Sequence, residues 1–363
     1  MTSVPVFVGL DYHQDSVQVC VVNGGGERLL NRSVANDARV IDGLARLRGR
    51  PVRVAVEACC GAANLAQQLR EVYHLPVLLG HPGYVARLRG SPDKSDFSDA
   101  QLLADLVRVN YLPKVWLAPD YIRQLRHLSR HRQQLVNRRR DTKLRIRALL
   151  RDNRLKCPHD AEAWTKKWLA WLTDEAALPA GDRWIVADHV AEVKSLNTRI
   201  AAVEKRILKV TADDPVLAHL LSLKGVGMVT ALTLRAEVGC FERFQKAKQL
   251  ARFCGISPRN ASSGQRQADA GLIKAGNPQL RAVLVELAHR VIRGEGVWSK
   301  KAYALSQRGK QKNIVVAAIA NRWVRWLHHE MRRFAQAKRT SAPAPQKGAA
   351  PTADAIAAAA SSG

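Results

Sequence analysis

Four carboxylates in the first hundred residues have the types and spacing of a metal-binding set. Asp11 and Glu57 each close a short apolar run, VPVFVGLD and VRVAVEA, whereas Asp96 and Asp99 lie three residues apart in KSDFSDAQLLADLV. Like charges at close range repel one another, and a divalent cation removes that repulsion. Two cations held by such oxygens could clamp the attacking and leaving oxygens of a phosphodiester. The set therefore suggests a Mg²⁺ or Mn²⁺ site for phosphodiester chemistry.

Each of these carboxylates also has an ordinary structural role open to it. Asp96 could cap the helix that follows, since Ser-Asp before an apolar helix favours an N-cap. Asp11 could be a turn residue. Spacing along the chain does not show whether the four side chains converge, so these alternatives stay open at this point.

The segment that carries the carboxylates predicts a mixed α/β sheet. Apolar or alternating runs joined by tight turns predict a three-stranded meander, after which helical and extended segments alternate. Such alternation is typical of a sheet with helices packed on it. The strands are predicted at 4–11, 16–23, 28–34 and 52–58 and in LPVLLG, and the helices at about 38–48, in NLAQQLREVY and from Asp96 onward.

The chain is strongly basic, and its charge is unevenly placed. Its 363 residues carry 58 Lys and Arg against 31 Asp and Glu, a net charge of +27. Residues 1–99 hold 11 basic and 10 acidic side chains, a net of +1, so the remaining +26 lies beyond residue 99. Such an excess predicts a polyanionic partner, either nucleic acid or an anionic membrane surface.

Two absences narrow the class of protein. No run of 18 apolar residues occurs, and MTSVPVFVGLDYH lacks the basic flank of a signal peptide. We therefore expect a cytoplasmic, nucleoid-associated protein without membrane spans. The six cysteines form no CxxC pattern, which argues against a disulfide framework or a zinc site.

An arginine-rich helical segment follows the carboxylates. Eleven arginines and one lysine lie at positions 123–154, almost without acidic residues between them. This density favours a phosphate-facing surface over an ordinary solvated face. The residues expected to contact nucleic acid here are Arg138, Arg139 and Arg140.

A second helical pattern, from Val193 to Val210, has apolar residues at the alternating spacing of a coiled-coil seam. Such a seam forms either a helical hairpin or a contact between chains. We expect it to join subunits in a homo-oligomer, a dimer or a tetramer. An ordinary amphipathic helix is the alternative.

The third region holds two candidate phosphate contacts. Lys224, Gly225 and Gly227 interrupt two apolar helices, a pattern typical of a helix-hairpin-helix, in which glycines and the following helix N-terminus let a phosphate approach the backbone. A plain interhelical turn is the alternative. Further on, the polar stretch ASSGQRQADAGLIKAGN carries hydroxyl groups among cations. The cations beside it are Arg259, Arg266 and Lys274.

Three motifs in this order, GLDYH, VAVEACCG and KSDFSDAQLLADL, resemble the Asp-Glu-Asp-Asp signature of the insertion sequence 110 family of transposases. The later segments LSLKGVGMVTALTL, FCGISPRNASSGQR and IKAGNPQLRAVLVELA resemble that family's C-terminal domain, so the likeness runs from about residue 6 to residue 335. One departure follows Glu57, where the chain has Ala-Cys-Cys-Gly and many members have Ala-Thr-Gly.

The resemblance implies an architecture and a set of site residues. A RuvC-like, ribonuclease-H-like α/β domain (1–115) would precede an Arg-rich helical and coiled-coil connector (116–212). A mostly α-helical domain (213–338) and a disordered tail (339–363) would follow. The implied nucleophile is Ser263, which precedes a glycine, with the adjacent Ser262 as the alternative. The implied catalytic metal ligands are Asp11, Glu57, Asp96 and Asp99.

The implied function is that of a DNA transposase and recombinase. A phosphoserine intermediate would carry each cut strand, and the divalent cations Mg²⁺ or Mn²⁺ would assist. Its partners, as the resemblance implies, would be double-stranded target and donor DNA and a structured noncoding guide RNA. The Arg-rich helices are compatible with the RNA, since A-form RNA is bound largely through shape and phosphates. Two alternatives stay open: a RuvC-type junction nuclease in which water attacks, and a non-catalytic nucleic-acid-binding protein.

Overall fold

A six-stranded mixed sheet forms the centre of the first of two units, Met1–Asp120 and Tyr121–Gly363. The computed structural model describes residues 4–89, 95–158, 162–260 and 269–341. The strand order is β3-β2-β1-β4-β5-β6. The strands are β1 (Pro5–Tyr12), β2 (Ser16–Asn23), β3 (Arg28–Ala35), β4 (Arg50–Glu57), β5 (Val77–Gly80) and β6 (Lys114–Val115).

Strand directions in this sheet agree with the sequence pattern. β1, β2 and β3 form the predicted antiparallel meander. β4 is parallel to β1, and β5 is parallel to β4. The helix Ala62–Glu71 provides the crossover between β4 and β5, whereas β2, β3 and the helix Ala38–Arg46 lie between β1 and β4 in the chain. The short β6 returns antiparallel to β5. The mixed α/β sheet predicted for the first domain is confirmed.

Helices cover both faces of the sheet. α1 (Ala38–Arg46) and α2 (Ala62–Glu71) bury their apolar sides against Val6, Val8 and Leu10 of β1. The short α3 (Pro82–Val85) follows β5. α4 (Asp96–Arg108) packs on the opposite face, where Ala100 and Ala104 contact buried side chains of β2. This opposite face carries the second residue set of β1, because side chains alternate along a strand.

Gly9 is the position at which α4 touches β1 most closely. A Cβ atom added to Gly9 would lie 2.0 Å from the carbonyl oxygen of Ala100 and 2.5 Å from the amide nitrogen of Ala104. These atoms belong to the helix backbone, which cannot turn aside as a flexible side chain can. Small residues at both contact points therefore let α4 lie directly on the strand.

The second unit is mainly helical, as the sequence predicts. A hairpin of β7 (Pro258–Asn260) and β8 (Asp269–Leu272) is its only sheet among the described residues. A π-helical turn, Trp171–Glu175, extends α6. The helices are α5 (Asp120–Asp152), α6 (Lys166–Ala170), α7 (Ala180–Val210), α8 (Pro215–Ser222), α9 (Met228–Val238), α10 (Ala247–Phe253), α11 (Pro278–Arg293), α12 (Val297–Gln307) and α13 (Lys312–Ser341).

The predicted seam on α7 packs inside the chain. Leu196 and Ile200 of α7 lie against Leu135 of α5, and Ile207 lies against Leu125, so the two helices form an antiparallel hairpin. Because these seam residues are buried in a single chain, the expectation that they join subunits is wrong. The apolar pattern also allowed a helical hairpin within one chain, and the structure contains that hairpin. A homo-oligomer stays a prediction, without this seam as its interface.

The predicted domain bounds compare with the structure as follows. The first unit ends at Asp120, close to the predicted boundary at 115, whereas residues from Tyr121 onward form one unit. The further division at 212 stays a prediction. α13 continues to Ser341, three residues into the segment predicted to be a disordered tail, and the rest of that segment lies outside the described residues.

Substitution of Gly9 tests the helix-on-strand contact. Gly9→Ala places a methyl group against the α4 backbone, so we expect a loss of about 1–3 kcal/mol or more in the free energy of unfolding. Urea unfolding measures the change. Gly43→Ala is the matched control, because Gly43 lies inside α1 with open space around its Cβ position, and alanine should stabilise that helix by about 0.5–1 kcal/mol. A Gly9→Ala protein as stable as the parent would contradict the contact.

Candidate active site

Strand register brings the first two carboxylates to one edge of the sheet. Leu10 of β1 pairs with Val56 of β4, so Asp11 and Glu57 are the next residues on neighbouring parallel strands. Leu10 and Val56 are buried on the side of α1 and α2. Because side chains alternate along a strand, Asp11 and Glu57 project toward the face that α4 covers.

The other two carboxylates lie in the first turn of α4. Ser95 is the N-cap, since its Oγ accepts a hydrogen bond from the amide of Ser98 at 3.2 Å. The alternative in which Asp96 caps the helix is therefore wrong. Asp96 and Asp99 occupy the first helical turn, where the unpaired amides and the helix dipole favour negative charge.

His13 joins one carboxylate from each element. Its Nε2 lies 3.3 Å from Oδ2 of Asp11 and 3.2 Å from Oδ1 of Asp96. One ligand atom from each of these three residues fits within a group whose members lie at most 4.8 Å apart. Two carboxylate oxygens and an imidazole nitrogen at this separation could hold one divalent cation.

Arg89 joins the remaining two carboxylates. Its Nη2 donates a hydrogen bond to Oδ2 of Asp99 at 2.8 Å and lies 4.0 Å from Oε2 of Glu57. Its Nε lies 2.8 Å from Oδ1 of Asp99, as an ion pair that lacks hydrogen-bond geometry. Asp99 is buried, so the guanidinium compensates a charge that would otherwise be costly to bury.

Burial is the main cause that raises the pKa of Asp11 above its ordinary value. His13 opposes the shift, and repulsion from Asp96 and Asp99 adds to it. Oδ2 of Asp11 is buried and has no hydrogen-bond partner among the described residues. A buried carboxylate oxygen that contacts His13 without hydrogen-bond geometry, beside two more carboxylates, is an arrangement that a bound cation would satisfy.

The structure therefore brings together Asp11, Glu57, Asp96 and Asp99, and their assignment as metal ligands stays a prediction. Sequence reasoning missed His13 and Arg89. His13 stands two residues after Asp11 in GLDYH, and a nitrogen ligand so close to a candidate carboxylate is a signal that spacing does carry. Arg89 lies in a loop with no periodic pattern, and only the fold places it at the site.

The arginines of α5 divide into two groups. Arg126 and Arg130 turn toward α9, where Nε and Nη2 of Arg130 lie 2.8 and 2.9 Å from the two oxygens of buried Glu237. Arg132 pairs with Glu204. These three arginines pair with acidic residues of the same unit, so the whole run does not face phosphate.

The predicted contacts Arg138, Arg139 and Arg140 lie farther along α5. Arg138 and Arg140 are exposed, and Arg140 pairs with its neighbour Asp141. Arg139 is half-buried and donates a hydrogen bond to Asn197 of α7 at 2.7 Å. Arg138 and Arg140 therefore keep their charge at the surface, and binding of nucleic acid by this group stays a prediction.

The predicted glycine loop joins α8 to α9. Gly225 adopts a left-handed conformation (φ +85°), and a Cβ there would lie 2.8 Å from Cγ1 of Val291, so glycine is required for the turn itself. Nζ of Lys224 donates to the carbonyl of Glu295 at 3.0 Å, and Gly227 is the N-cap of α9. Both the helix-hairpin-helix and the plain turn are compatible with this geometry.

The remaining predicted residues flank the serine stretch. Arg259 on β7 and Lys274 after β8 are exposed. Ser263, its neighbour Ser262, and Arg266 lie outside the described residues.

Comparison with known proteins decides the family. A model of the IS110 transposase DEDD domain, described as a transposase, matches residues 8–153, and a model described as "Transposase IS116/IS110/IS902 family" matches residues 217–304. The chain belongs to the IS110 family of transposases. The first match contains all four carboxylates of the site, and the second contains the glycine loop and the serine stretch of the transposase.

Relatives resemble the transposase over most of their length. A "Probable family 20 transposase" of Pseudomonas aeruginosa is 28% identical over 326 residues, which is 88% of this chain and 95% of the relative. The "Transposase for insertion sequence element IS1111A" of Coxiella burnetii is 26% identical over 88% of both chains. A "Pilin gene-inverting protein" of Moraxella bovis is 24% identical over 68% of this chain and 70% of the relative. Among the described residues of the transposase, no helix is both long and apolar enough to cross a bilayer.

Titration of Asp11 should be visible in stability. Its pKa is raised in the folded state, so the folded protein holds the proton more tightly, and stability should fall as pH rises through the pKa of Asp11. Asp11→Asn removes this cost. In EDTA we expect the variant to gain thermal stability relative to the parent near neutral pH and to lose that gain at acidic pH, as measured by thermal unfolding across the pH range. An Asp11→Asn protein that is less stable than the parent at neutral pH would refute the shift.

Charge reversal on α5 should weaken nucleic-acid binding without regard to sequence. Replacing Arg138, Arg139 and Arg140 by Glu removes phosphate contacts, each of which contributes about 0.9 to the slope of log K against log salt on duplex DNA. Binding isotherms at several salt concentrations measure the loss. The matched control reverses three exposed arginines of the first unit, Arg39, Arg48 and Arg70, and should change binding less. Equal losses in both triple variants would contradict a localised surface.

Proposed function

We propose that the transposase cuts and exchanges DNA strands with the help of divalent cations held by its four converging carboxylates. The observation that carries this proposal is the meeting of Asp11 and Glu57 from two parallel strands with Asp96 and Asp99 from the first turn of α4. Carboxylates from three separate elements rarely share a half-buried edge unless a cation or another positive group compensates them. Such a site suits phosphodiester chemistry better than it suits a non-catalytic binding protein.

The donor set defines what the site would hold. Asp11, Asp96 and His13 would bind one cation, and Glu57 and Asp99 would extend the site. When bound, divalent cations polarise a phosphoryl oxygen and lower the pKa of an attacking hydroxyl. An imidazole among the ligands suits Mn²⁺ better than Mg²⁺, which favours oxygen ligands alone. We therefore place Mn²⁺ beside Mg²⁺ as a candidate for this transposase.

Arg89 would act as the chain's own cation at the site, and His13 would act as a ligand. Arg89 orients the buried carboxylate of Asp99 through two close contacts and reaches toward Glu57. A guanidinium has fixed planar geometry and stays protonated, so it can also donate to a scissile phosphate without a proton transfer. These side chains hold the carboxylates in position before nucleic acid arrives.

Cleavage would proceed through Ser263. Its Oγ attacks phosphorus, the serine proton is lost, the bond to the leaving oxygen breaks, and the severed strand departs with a free hydroxyl group. A hydroxyl of another strand then attacks the phosphoserine, which releases the serine and joins the new pair of strands. Because the covalent link conserves the phosphodiester, no nucleotide cofactor is consumed. The alternative is a RuvC-type junction nuclease in which water attacks.

Partners follow from the charge and the family. Double-stranded target and donor DNA would bind the basic surface beyond residue 99, and a structured noncoding RNA would guide the choice of sites. The gene inversion stated in the name of the Moraxella bovis relative supports strand exchange over simple cutting. A homo-oligomer would supply the several active sites that two DNA partners require.

Loss of one ligand should separate catalysis from binding. Asp96 is exposed, and among the described residues its ion-pair partner in the site is His13, so Asp96→Asn should leave the fold intact. We expect recombination to fall by roughly 100-fold or more, since even indirect changes near a metal cost 10–100-fold. A plasmid recombination assay measures activity, and a shift assay checks that DNA binding persists. Asp105→Asn on the same helix is the control, and equal activity of the two variants would refute the metal site.

The nucleophile is tested by trapping. Ser263→Ala should abolish the protein–DNA adduct recovered after denaturation, whereas Ser262→Ala should retain it. Protease mapping of the parent adduct should identify the peptide that contains Ser263. An adduct at Ser262 or at a tyrosine would overturn the assignment, and strand cutting without any adduct would favour the junction nuclease.

A further inference from the structure

A cleft of about 580 Å³ opens between α12 and α13 in the second unit. Its size falls within the range of about 300–1,000 Å³ that is typical of ligand sites. Neither the carboxylate site nor the glycine loop contributes a side chain to it. The residues that line it are Val297, Trp298, Lys301, Arg322, Arg325, Trp326 and His329.

Two tryptophans form the apolar part of this tryptophan cleft. The ring centroids of Trp298 and Trp326 lie 6.1 Å apart with the planes at 71°. Both side chains are half-buried, whereas Trp323 behind them is fully buried and lies 5.8 Å from Trp326. Trp323 therefore supports Trp326 from within, and part of Trp298 and of Trp326 stays open to the cleft.

The polar part of the tryptophan cleft is cationic. Lys301, Arg322 and Arg325 are exposed, and within the part of the chain that the structure describes no carboxylate lines the cleft. Nζ of Lys301 lies 5.1 Å from the ring centroid of Trp298, which is a cation–π distance. Arg322 donates to the carbonyl of Ala318 in its own helix at 3.3 Å. Among the described residues these three side chains have no acidic partner in the cleft, so they are available for an anionic ligand.

The same two arginines extend this surface. Arg322 and Arg325 also line an adjoining groove of about 660 Å³, whose other residues include Pro258 of β7 and Leu272 of β8. A ligand held at the tryptophans would thus reach an apolar wall along α13 while it stays beside the same two arginines.

We propose that the tryptophan cleft binds unpaired nucleotides of a single-stranded nucleic-acid segment. Bases stack on Trp298 and Trp326, and the phosphates lie against Lys301, Arg322 and Arg325. Aromatic rings beside a positively charged groove are the features by which single strands are held without regard to sequence. A duplex does not fit this chemistry, because its bases are already stacked on one another. The proposal rests on the proposed function only in taking nucleic acid as the ligand.

The charge pattern favours a nucleic acid over the other anionic partners. An acidic peptide would satisfy the cations but offers few planar groups for two tryptophans. An anionic membrane surface could accept tryptophans and arginines together. It would need them on a convex, exposed face, whereas these rings are half-buried in a cleft.

The test compares three labelled ligands in EDTA, with the full-length chain. They are an oligothymidylate of about 12 nucleotides, an abasic oligomer of the same length, and a duplex. We expect the parent to bind the oligothymidylate more tightly than the abasic oligomer. Trp298→Ala and Trp326→Ala should lower the oligothymidylate affinity by roughly fivefold or more and leave the other two affinities unchanged. Trp184→Ala, on α7 with 72% of its surface exposed, is the matched control.

Two further variants keep the test decisive if an alanine variant unfolds. Trp298→Leu preserves apolar packing without a π face and should lose the preference, whereas Trp298→Phe should keep most of it. The proposal would be overturned if the substitutions lowered the affinity for the abasic oligomer or the duplex as much as the affinity for the oligothymidylate. It would also be overturned if the chain bound phosphatidylserine vesicles and the same substitutions abolished that binding while the oligothymidylate affinity stayed unchanged. The assay needs neither cation nor strand cutting. If the metal or serine chemistry proved wrong, the result of this binding assay would still stand. If the preference for bases were lost, the proposed metal and serine chemistry would be unaffected.

Discussion

The position of α4 against β1 is the constraint on which the carboxylate site depends. Gly9 has no side chain, and Ala100 and Ala104 are small, so the helix backbone lies directly on the strand. This approach carries the first turn of α4 to the strand edge where Asp11 and Glu57 end. A larger separation would leave two pairs of carboxylates in place of one site, because side chains of Asp reach only a few bonds from the backbone.

Electrostatic compensation explains how four acids can share this edge. His13 lies between Asp11 and Asp96, and Arg89 lies against Asp99 and reaches toward Glu57. The protein thus supplies one nitrogen base and one permanent cation in place of bulk water. The compensation is incomplete at Asp11, whose pKa is raised by burial and by its acidic neighbours. A bound divalent cation would relieve this remaining repulsion at Asp11.

The sequence predicted the sheet well because strand periodicity and short turns are local signals. It also predicted the helices at Asp96 and after Asp120. It could not show what covers an apolar face, and for this reason the α7 seam was assigned to another subunit although Leu135 of α5 fills it. The role of Arg89 could not be predicted from the sequence, because it arises only when a loop folds back onto the strand ends. For the same reason, the density of arginines in the sequence does not show which of them face solvent. Arg130 pairs with a buried acid, whereas Arg138 stays exposed.

Glu237 has a consequence for how the basic helix can evolve. This buried carboxylate receives Arg130 through both oxygens and also accepts a hydrogen bond from Asn277, the N-cap of α11, at 2.8 Å. α5 is therefore locked in rotation and in register relative to α9. With 3.6 residues per turn, one inserted residue between Arg130 and Arg138 would swing the exposed arginines by about 100° around the helix axis. Insertions in this stretch would redirect the basic surface even though they leave every charge in the chain unchanged.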